Sequence, residues 1–120
     1  MKINLYPLKL YAQRPRLLGL ALMALLINIS TWAWILWQIP KEGDQLVLHY
    51  NVIFGVDRVG TFGELLYLPT LGFVILVVNY IVGWLVFKSD RFLSGLLIFS
   101  ALLVNIFGFI DGLLLVFLNV

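Results

Sequence analysis

The charged residues of the chain divide it into three long apolar segments. Residues 17–39 and residues 65–87 contain no charged side chain, and residues 92–120 contain only one, Asp111. A helix of roughly 20 apolar residues is long enough to cross about 30 Å of hydrocarbon. Each segment exceeds that length, so the pattern predicts an all-α membrane protein with three transmembrane helices.

Shorter segments precede and connect the predicted spans. Residues 1–16 form a basic arm, residues 40–64 form a long loop, and residues 88–91 form a turn. Because that turn is so short, the second and third spans must be antiparallel neighbours. In the arm, apolar residues lie beside Lys9 and Arg14. This favours a segment that lies on the membrane surface or, equally well, a disordered basic tail.

Lysine and arginine are distributed unevenly between the two ends of the spans. Six of the eight lie in the arm and in the short turn, whereas the long loop has only Lys41 and Arg58. Short loops with an excess of Lys and Arg stay on the cytoplasmic side. The distribution predicts a cytoplasmic N-terminus, with the long loop and the C-terminus outside.

Composition supports the same class of protein. Hydrophobic residues make up 62% of the 120 residues and charged residues 12%, whereas a soluble domain has about 25% charged residues. The chain has no cysteine, which excludes disulfides and thiolate chemistry. The net charge of +2 gives no reason to expect nucleic-acid binding, so the lipid bilayer is the first predicted partner.

Small and polar residues recur at helical spacing within each span. Asn28, Asn79 and Asn105 are predicted to lie at comparable depth, roughly 14–21 Å from the cytoplasmic ends of their helices. We interpret them as packing contacts between helices, with a polar relay or ligand site at the midplane as the alternative. Gly108 and Gly112 form a Gly-x-x-x-Gly step, which predicts a surface for close helix packing or for a partner.

Asp111 is the one ionisable residue inside an apolar segment. It follows Arg91 by 20 residues, which is roughly 30 Å along a helix. This places Asp111 near the outer interface rather than at the middle of the membrane. We expect it to meet water there, or to pair with Arg58 or Lys41 of the long loop.

The long loop contains an apolar part, residues 46–54, followed by a glycine-rich part at residues 55–60. The alternation around Leu48, Tyr50 and Val52 predicts an extended segment, and the glycine-rich part predicts a turn. Five residues are candidates for ordering this loop or for recognition: His49, Asn51, Asp57, Arg58 and Gly60. His49 is the only histidine, and a site for a soft metal usually needs more than one imidazole, so no metal site is predicted.

The same loop carries a pattern that is known from other proteins. The pattern comprises His49, Tyr50, Asn51, Asp57 and Gly60. It resembles a small bacterial membrane domain of unknown function, found at the N-terminus of Sdp-type immunity and signalling proteins. The chain departs from that domain in having Val47 in place of a proline and Val59 in place of an aromatic residue. The resemblance implies an extracytoplasmic loop of fixed shape, a place in the cytoplasmic membrane of a bacterium, and no established reaction.

The side chains required for catalysis are not grouped in this sequence. Cysteine is absent, and the serines lie in or beside spans without a nearby histidine, so we predict no enzyme and no cofactor. The leading hypothesis is an accessory or structural subunit of a larger membrane complex, bound to other membrane subunits or to copies of itself through helix packing. The alternative is a membrane sensor or immunity-type protein whose loop at residues 46–60 binds a peptide or protein.

Overall fold

The structure is a computed structural model of the chain and describes residues 5–38, 46–51, 55–60 and 62–119. The described residues form helices and one pair of strands. In chain order they are α1 (Leu8–Ala12), α2 (Pro15–Gln38), β1 (Leu46–Asn51), β2 (Gly55–Gly60), α3 (Phe62–Leu65), α4 (Tyr67–Phe87) and α5 (Arg91–Asn119).

Three segments are helical, long and apolar enough to cross a membrane: Pro15–Gln38, Gly63–Phe87 and Arg91–Phe117. The prediction of three helices of this length and apolarity is therefore confirmed. Their starts have local causes. α2 begins at a proline, whose missing N–H would have no helical partner in the first turn. α5 begins after Asp90, whose carboxylate accepts the backbone N–H of Leu93 at 3.0 Å and caps the helix.

The three long helices form a bundle in which α5 packs along both α2 and α4, while α2 and α4 touch each other less. Between 22% and 28% of the most apolar stretch of each span is buried. Many of the other apolar side chains are exposed, among them Leu26, Phe92 and Phe117, and soluble proteins rarely expose so many together. This distribution fits a bundle surrounded by lipid.

Apolar side chains fill the bundle in three clusters along its length. At the arm end lie Tyr11, Leu17, Phe87 and Ile98. The middle cluster comprises Ala24, Leu76, Ala101 and Leu102. At the opposite end lie Ile35, Leu65, Leu115 and Val116.

The segment predicted as a loop between the first two spans contains an antiparallel pair of strands, so the chain is helical in its spans but not in this segment. β1 confirms the predicted extended segment as far as Asn51; Val52 lies outside the described residues. The turn predicted at residues 55–60 is instead β2. The backbone N–H and C=O groups of β2 find their partners on β1. This pairing cannot be predicted from the two glycines of the segment alone. β1 also lies against α5 and α3.

The arm is not a free tail over the residues that the structure describes. α1 contacts α4, and the side chain of Tyr11 is fully buried. Leu8 and Leu10 are about half exposed, which is compatible with contact between this side of the arm and the membrane surface. The alternative of a disordered tail is therefore wrong for residues 5–14.

Candidate functional site

Two of the three predicted asparagines meet in the interior of the bundle. Asn28 of α2 and Asn105 of α5 are 2% and 3% exposed. The Nδ2 atom of Asn28 donates to Oδ1 of Asn105 at 3.0 Å. These two amides form the polar centre of the bundle.

Each of the two amides also binds backbone carbonyls. Asn28 Nδ2 donates to the carbonyl of Pro69 at 2.9 Å, and Asn105 Nδ2 donates to the carbonyls of Ala101 at 2.8 Å and Gly72 at 3.2 Å. An amide nitrogen has two N–H donors, so the N–H groups of both side chains are used. Because an unsatisfied donor in lipid costs several kcal/mol, this arrangement holds α2, α4 and α5 together.

Gly72 of α4 allows the two asparagines to approach. A Cβ atom at this position would lie 2.7 Å from Oδ1 of Asn105 and 3.2 Å from Nδ2 of Asn28. Both distances are shorter than ordinary van der Waals contacts. The polar centre therefore requires glycine at position 72, where any side chain would crowd the two amides.

The third asparagine does not join the polar centre, so the predicted common depth is wrong for Asn79. Its Nδ2 atom donates to the carbonyl of Leu97 at 2.9 Å. Asn79 follows Gly72 by seven residues, which is roughly 10 Å along the helix. It contributes a separate bond between α4 and α5, nearer to the arm end.

The two glycines of the predicted packing step have different surroundings. A Cβ atom at Gly112 would lie 3.3 Å from Cγ2 of Thr31 and 3.7 Å from Cδ1 of Ile35. At Gly108 it would meet no described atom within 4 Å. Gly112 therefore packs against α2 of its own chain, and Gly108 leaves an open position on α5.

Asp111 is half-buried on α5, one residue before Gly112. Lys41, one of its two predicted partners, lies outside the described residues. Arg58, the other, is in β2, and its backbone pairs with that of His49. Pairing between Asp111 and either residue stays a prediction.

The five candidate loop residues all lie on the pair of strands. His49 and Asn51 are in β1, and Asp57, Arg58 and Gly60 are in β2. The pairing register shifts on both sides of His49. The backbone thus brings these residues into one small sheet, and their recognition role stays a prediction.

The arm attaches to the bundle through side chains that the sequence analysis did not single out. Tyr11 donates its hydroxyl to the carbonyl of Tyr80 at 2.9 Å, and Trp84 Nε1 donates to the carbonyl of Tyr6 at 2.7 Å. A Cβ atom at Gly83 would lie 2.8 Å from the Tyr11 hydroxyl, so this glycine makes room for the arm. Burial raises the pKa of Tyr11 above its usual value, which keeps the phenol protonated as a donor.

A groove opens beside the arm, between α2 and α5, with a volume of about 800 Å³. Its charged lining residues are Arg14, Arg16 and Arg91. Its apolar lining includes Leu17, Leu20, Phe92, Gly95, Leu96 and Phe99. From the sequence, these arginines are predicted to set the orientation, and Arg14 to lie in a segment at the membrane surface, but not to line a groove. The signal that could have found the groove is the apolar i, i+3, i+4, i+7 pattern that begins next to Arg91.

No family model, curated protein or solved structure matches the chain.

Proposed function

We propose that the chain is a non-catalytic accessory or structural subunit of a larger membrane complex, and that it binds its partner through the open face of α5. The partner is another membrane subunit or a second copy of the chain. The observation that carries this proposal is the open position at Gly108, where a Cβ atom would have no described atom within 4 Å.

The surroundings of Gly108 favour a packed helix as the occupant. Phe107, its neighbour, is 66% exposed. A cavity of about 60 Å³ lies between Gly108 and the polar centre, and its lining includes Leu71, Val104, Asn28 and Asn105. Close contacts between membrane helices use small residues that let the backbones approach. A side chain from a partner helix would fill this cavity.

The polar centre supports a structural role rather than a chemical one. All the N–H groups of Asn28 and Asn105 donate to oxygen atoms of the chain itself. These bonds occupy the N–H donors that a relay or a ligand site would require. The polar centre therefore serves to join the helices.

The orientation and membrane belong to the same proposal. The arm, the turn at residues 88–91 and the groove arginines lie at one end of the spans, which we assign to the cytoplasmic side because Lys and Arg concentrate there. The paired strands and the C-terminus then lie outside the cytoplasm of a bacterium.

Substitution of Gly108 with leucine tests the proposed contact. Gly19 supplies a matched control, because a Cβ atom there also meets no described atom within 4 Å. The tagged protein is purified in mild detergent, and its co-purifying subunits are measured by native mass spectrometry. We expect Gly108→Leu to lose the partner while its helical circular dichroism and thermal unfolding remain normal, and Gly19→Leu to keep it.

Retention of the partner by Gly108→Leu would contradict the proposed contact surface. Loss of the partner by both variants would also contradict it, because any bulky side chain on the surface would then have the same effect. Gly112→Leu is a third variant with a different expectation. It places a large side chain against Thr31 and Ile35, so it should destabilise the bundle itself.

A sensor or immunity-type protein is the second candidate function. The observation that favours it is the contact of β1 with α5, which connects the paired strands to the longest span. In this case His49→Ala or Asp57→Ala abolishes the response to an external peptide or protein and leaves assembly intact. Loss of assembly in both variants, with the response unchanged in the remaining protein, would exclude this function.

A further inference from the structure

The groove at the arm end combines positive charge with an apolar floor. The guanidinium carbon of Arg14 lies 5.3 Å from the centroid of the Phe87 ring, and that of Arg91 lies at the same distance from the same ring. One aromatic side chain therefore holds two cations at the edge of the groove. Arg16, which is exposed, adds a third charge to the lining.

These cations are not neutralised by carboxylates in the part of the chain that the structure describes. Arg14 donates from Nη2 to the hydroxyl of Tyr6 at 2.7 Å, and its guanidinium group also lies over the rings of Tyr6 and Phe87. The nearby carboxylate of Asp90 accepts the N–H of Leu93 and caps α5. Three guanidinium groups thus line one groove with hydrogen-bond donors still available.

The floor of the groove is apolar and follows one face of α5. Phe92, Gly95, Leu96 and Phe99 are spaced three and four residues apart, so they form one stripe. The stripe is roughly 10 Å long. At Gly95 a Cβ atom would have one near neighbour, Cδ2 of Leu17 at 3.9 Å, so the missing side chain deepens the groove.

We propose that this groove binds an anionic phospholipid, with the phosphate on the arginines and an acyl chain along the apolar floor. Arginine is suited to phosphate because its N–H groups bind two oxygens at once. Basic pockets between membrane helices are suited to phospholipid headgroups. The volume of about 800 Å³ lies within the usual range for ligand pockets.

A lipid fits this groove better than a soluble anion. The groove lies between two spans, and Phe92, Leu96 and Phe99 are 79%, 46% and 44% exposed. An inorganic anion would leave this apolar surface uncovered, whereas an acyl chain would cover it. The proposal does not depend on a protein partner, since the groove is lined by residues that do not include Gly108.

Competition between two lipids with the same chains tests the charge of the headgroup. The delipidated full chain in detergent is mixed with equal amounts of dioleoyl phosphatidylglycerol and dioleoyl phosphatidylcholine, and native mass spectrometry counts the bound lipids. We expect the anionic lipid to be retained in at least about tenfold excess, as two or more arginines would provide. Equal retention of the two lipids would overturn the proposal.

Paired substitutions separate the groove from general surface charge. Arg16→Gln combined with Arg91→Gln should remove the preference for the anionic lipid. Lys9→Gln combined with Lys88→Gln removes the same charge from two exposed positions that do not line the groove. This double variant should keep the preference for the anionic lipid. The same effect in both double variants would overturn the proposal.

Filling the floor tests the acyl chain. Gly95→Leu should lower retention of the anionic lipid, and Leu96→Trp is a second variant that fills the same groove should the first unfold. Normal retention in a folded filled variant would overturn the proposal. Complete displacement of the lipid by inorganic phosphate would also overturn it, since it would indicate a site for the anion alone.

Discussion

At the scale of single residues, the polar centre explains how three apolar helices find one arrangement. Apolar side chains gain little from association in lipid, because the surrounding lipid is equally apolar. Directional bonds between Asn28, Asn105 and the carbonyls of Pro69 and Gly72 fix the helices in depth and rotation. Gly72 makes this possible by leaving room for both amides.

Replacement of Asn105 by alanine should destabilise the bundle more than replacement of Asn79. Asn105→Ala removes three hydrogen bonds and leaves the buried amide of Asn28 with one partner fewer. Asn79→Ala removes one bond at a partly buried position. Membrane hydrogen bonds average about 0.6 kcal/mol, so we expect losses of about 1–2 kcal/mol for Asn105→Ala and about 0.6 kcal/mol for Asn79→Ala. Denaturation in mixed micelles measures both, and equal losses would contradict this account of the polar centre.

Part of this centre could be predicted from the sequence. The asparagines and the small residues recur at helical spacing in the sequence. Their role in packing follows because helices in lipid associate through close contacts and hydrogen bonds. The hydrogen-bond partners of the asparagines could not be predicted. Counting residues along each helix gives a common depth only if all three helices end at the same level in the membrane. Asn79 is about two turns from Gly72, and only the packed bundle shows which of the two reaches Asn105.

At the scale of elements, the spans and the extended segment of β1 were predictable, whereas β2 and the docking of the arm were not. Apolar length alone determines the three helices, because a membrane requires the backbone to satisfy its own hydrogen bonds. β2 depends on pairing with β1. The arm depends on contacts with residues about 70 positions away, such as that of Tyr11 with Tyr80. The local sequences of β2 and of the arm do not reveal these distant contacts.

Gly83→Ala should detach the arm without unfolding the bundle. The added Cβ atom would lie 2.8 Å from the Tyr11 hydroxyl and 3.0 Å from Oγ of Ser94, so the arm must move. Gly95→Ala is the matched control, because its Cβ atom meets only Leu17 at ordinary contact distance. Hydrogen exchange over residues 5–14 should become faster in Gly83→Ala and stay unchanged in Gly95→Ala. Unchanged exchange in both variants would show that the arm does not need this close contact.

At the scale of the whole molecule, charge and hydropathy together describe a bundle with two different ends. The arm end has the arginine groove and the docked arm, and the other end has the paired strands and Asp111. In the proposed orientation, which follows the positive-inside rule, the arm end faces the cytoplasm. The face of α5 around Gly108, where a Cβ atom would meet no described atom within 4 Å, is the proposed contact surface for a partner helix.

A reporter fused to the C-terminus tests the proposed orientation. A reporter that is active only outside the cytoplasm should give a signal after Val120, and one that is active only in the cytoplasm should give none. Fusion in the turn at residues 88–91 is the internal control, because it should give the opposite pattern. A cytoplasmic signal at the C-terminus would reverse the orientation.

The most direct test of the central claim is the mass of the native assembly. The chain alone has a mass of 13.7 kDa. Native mass spectrometry after purification in mild detergent should give a larger assembly, with other subunits or further copies of the chain, and Gly108→Leu should release the chain from it. A wild-type protein that is found only at 13.7 kDa would contradict the claim that this bundle is a subunit of a larger complex.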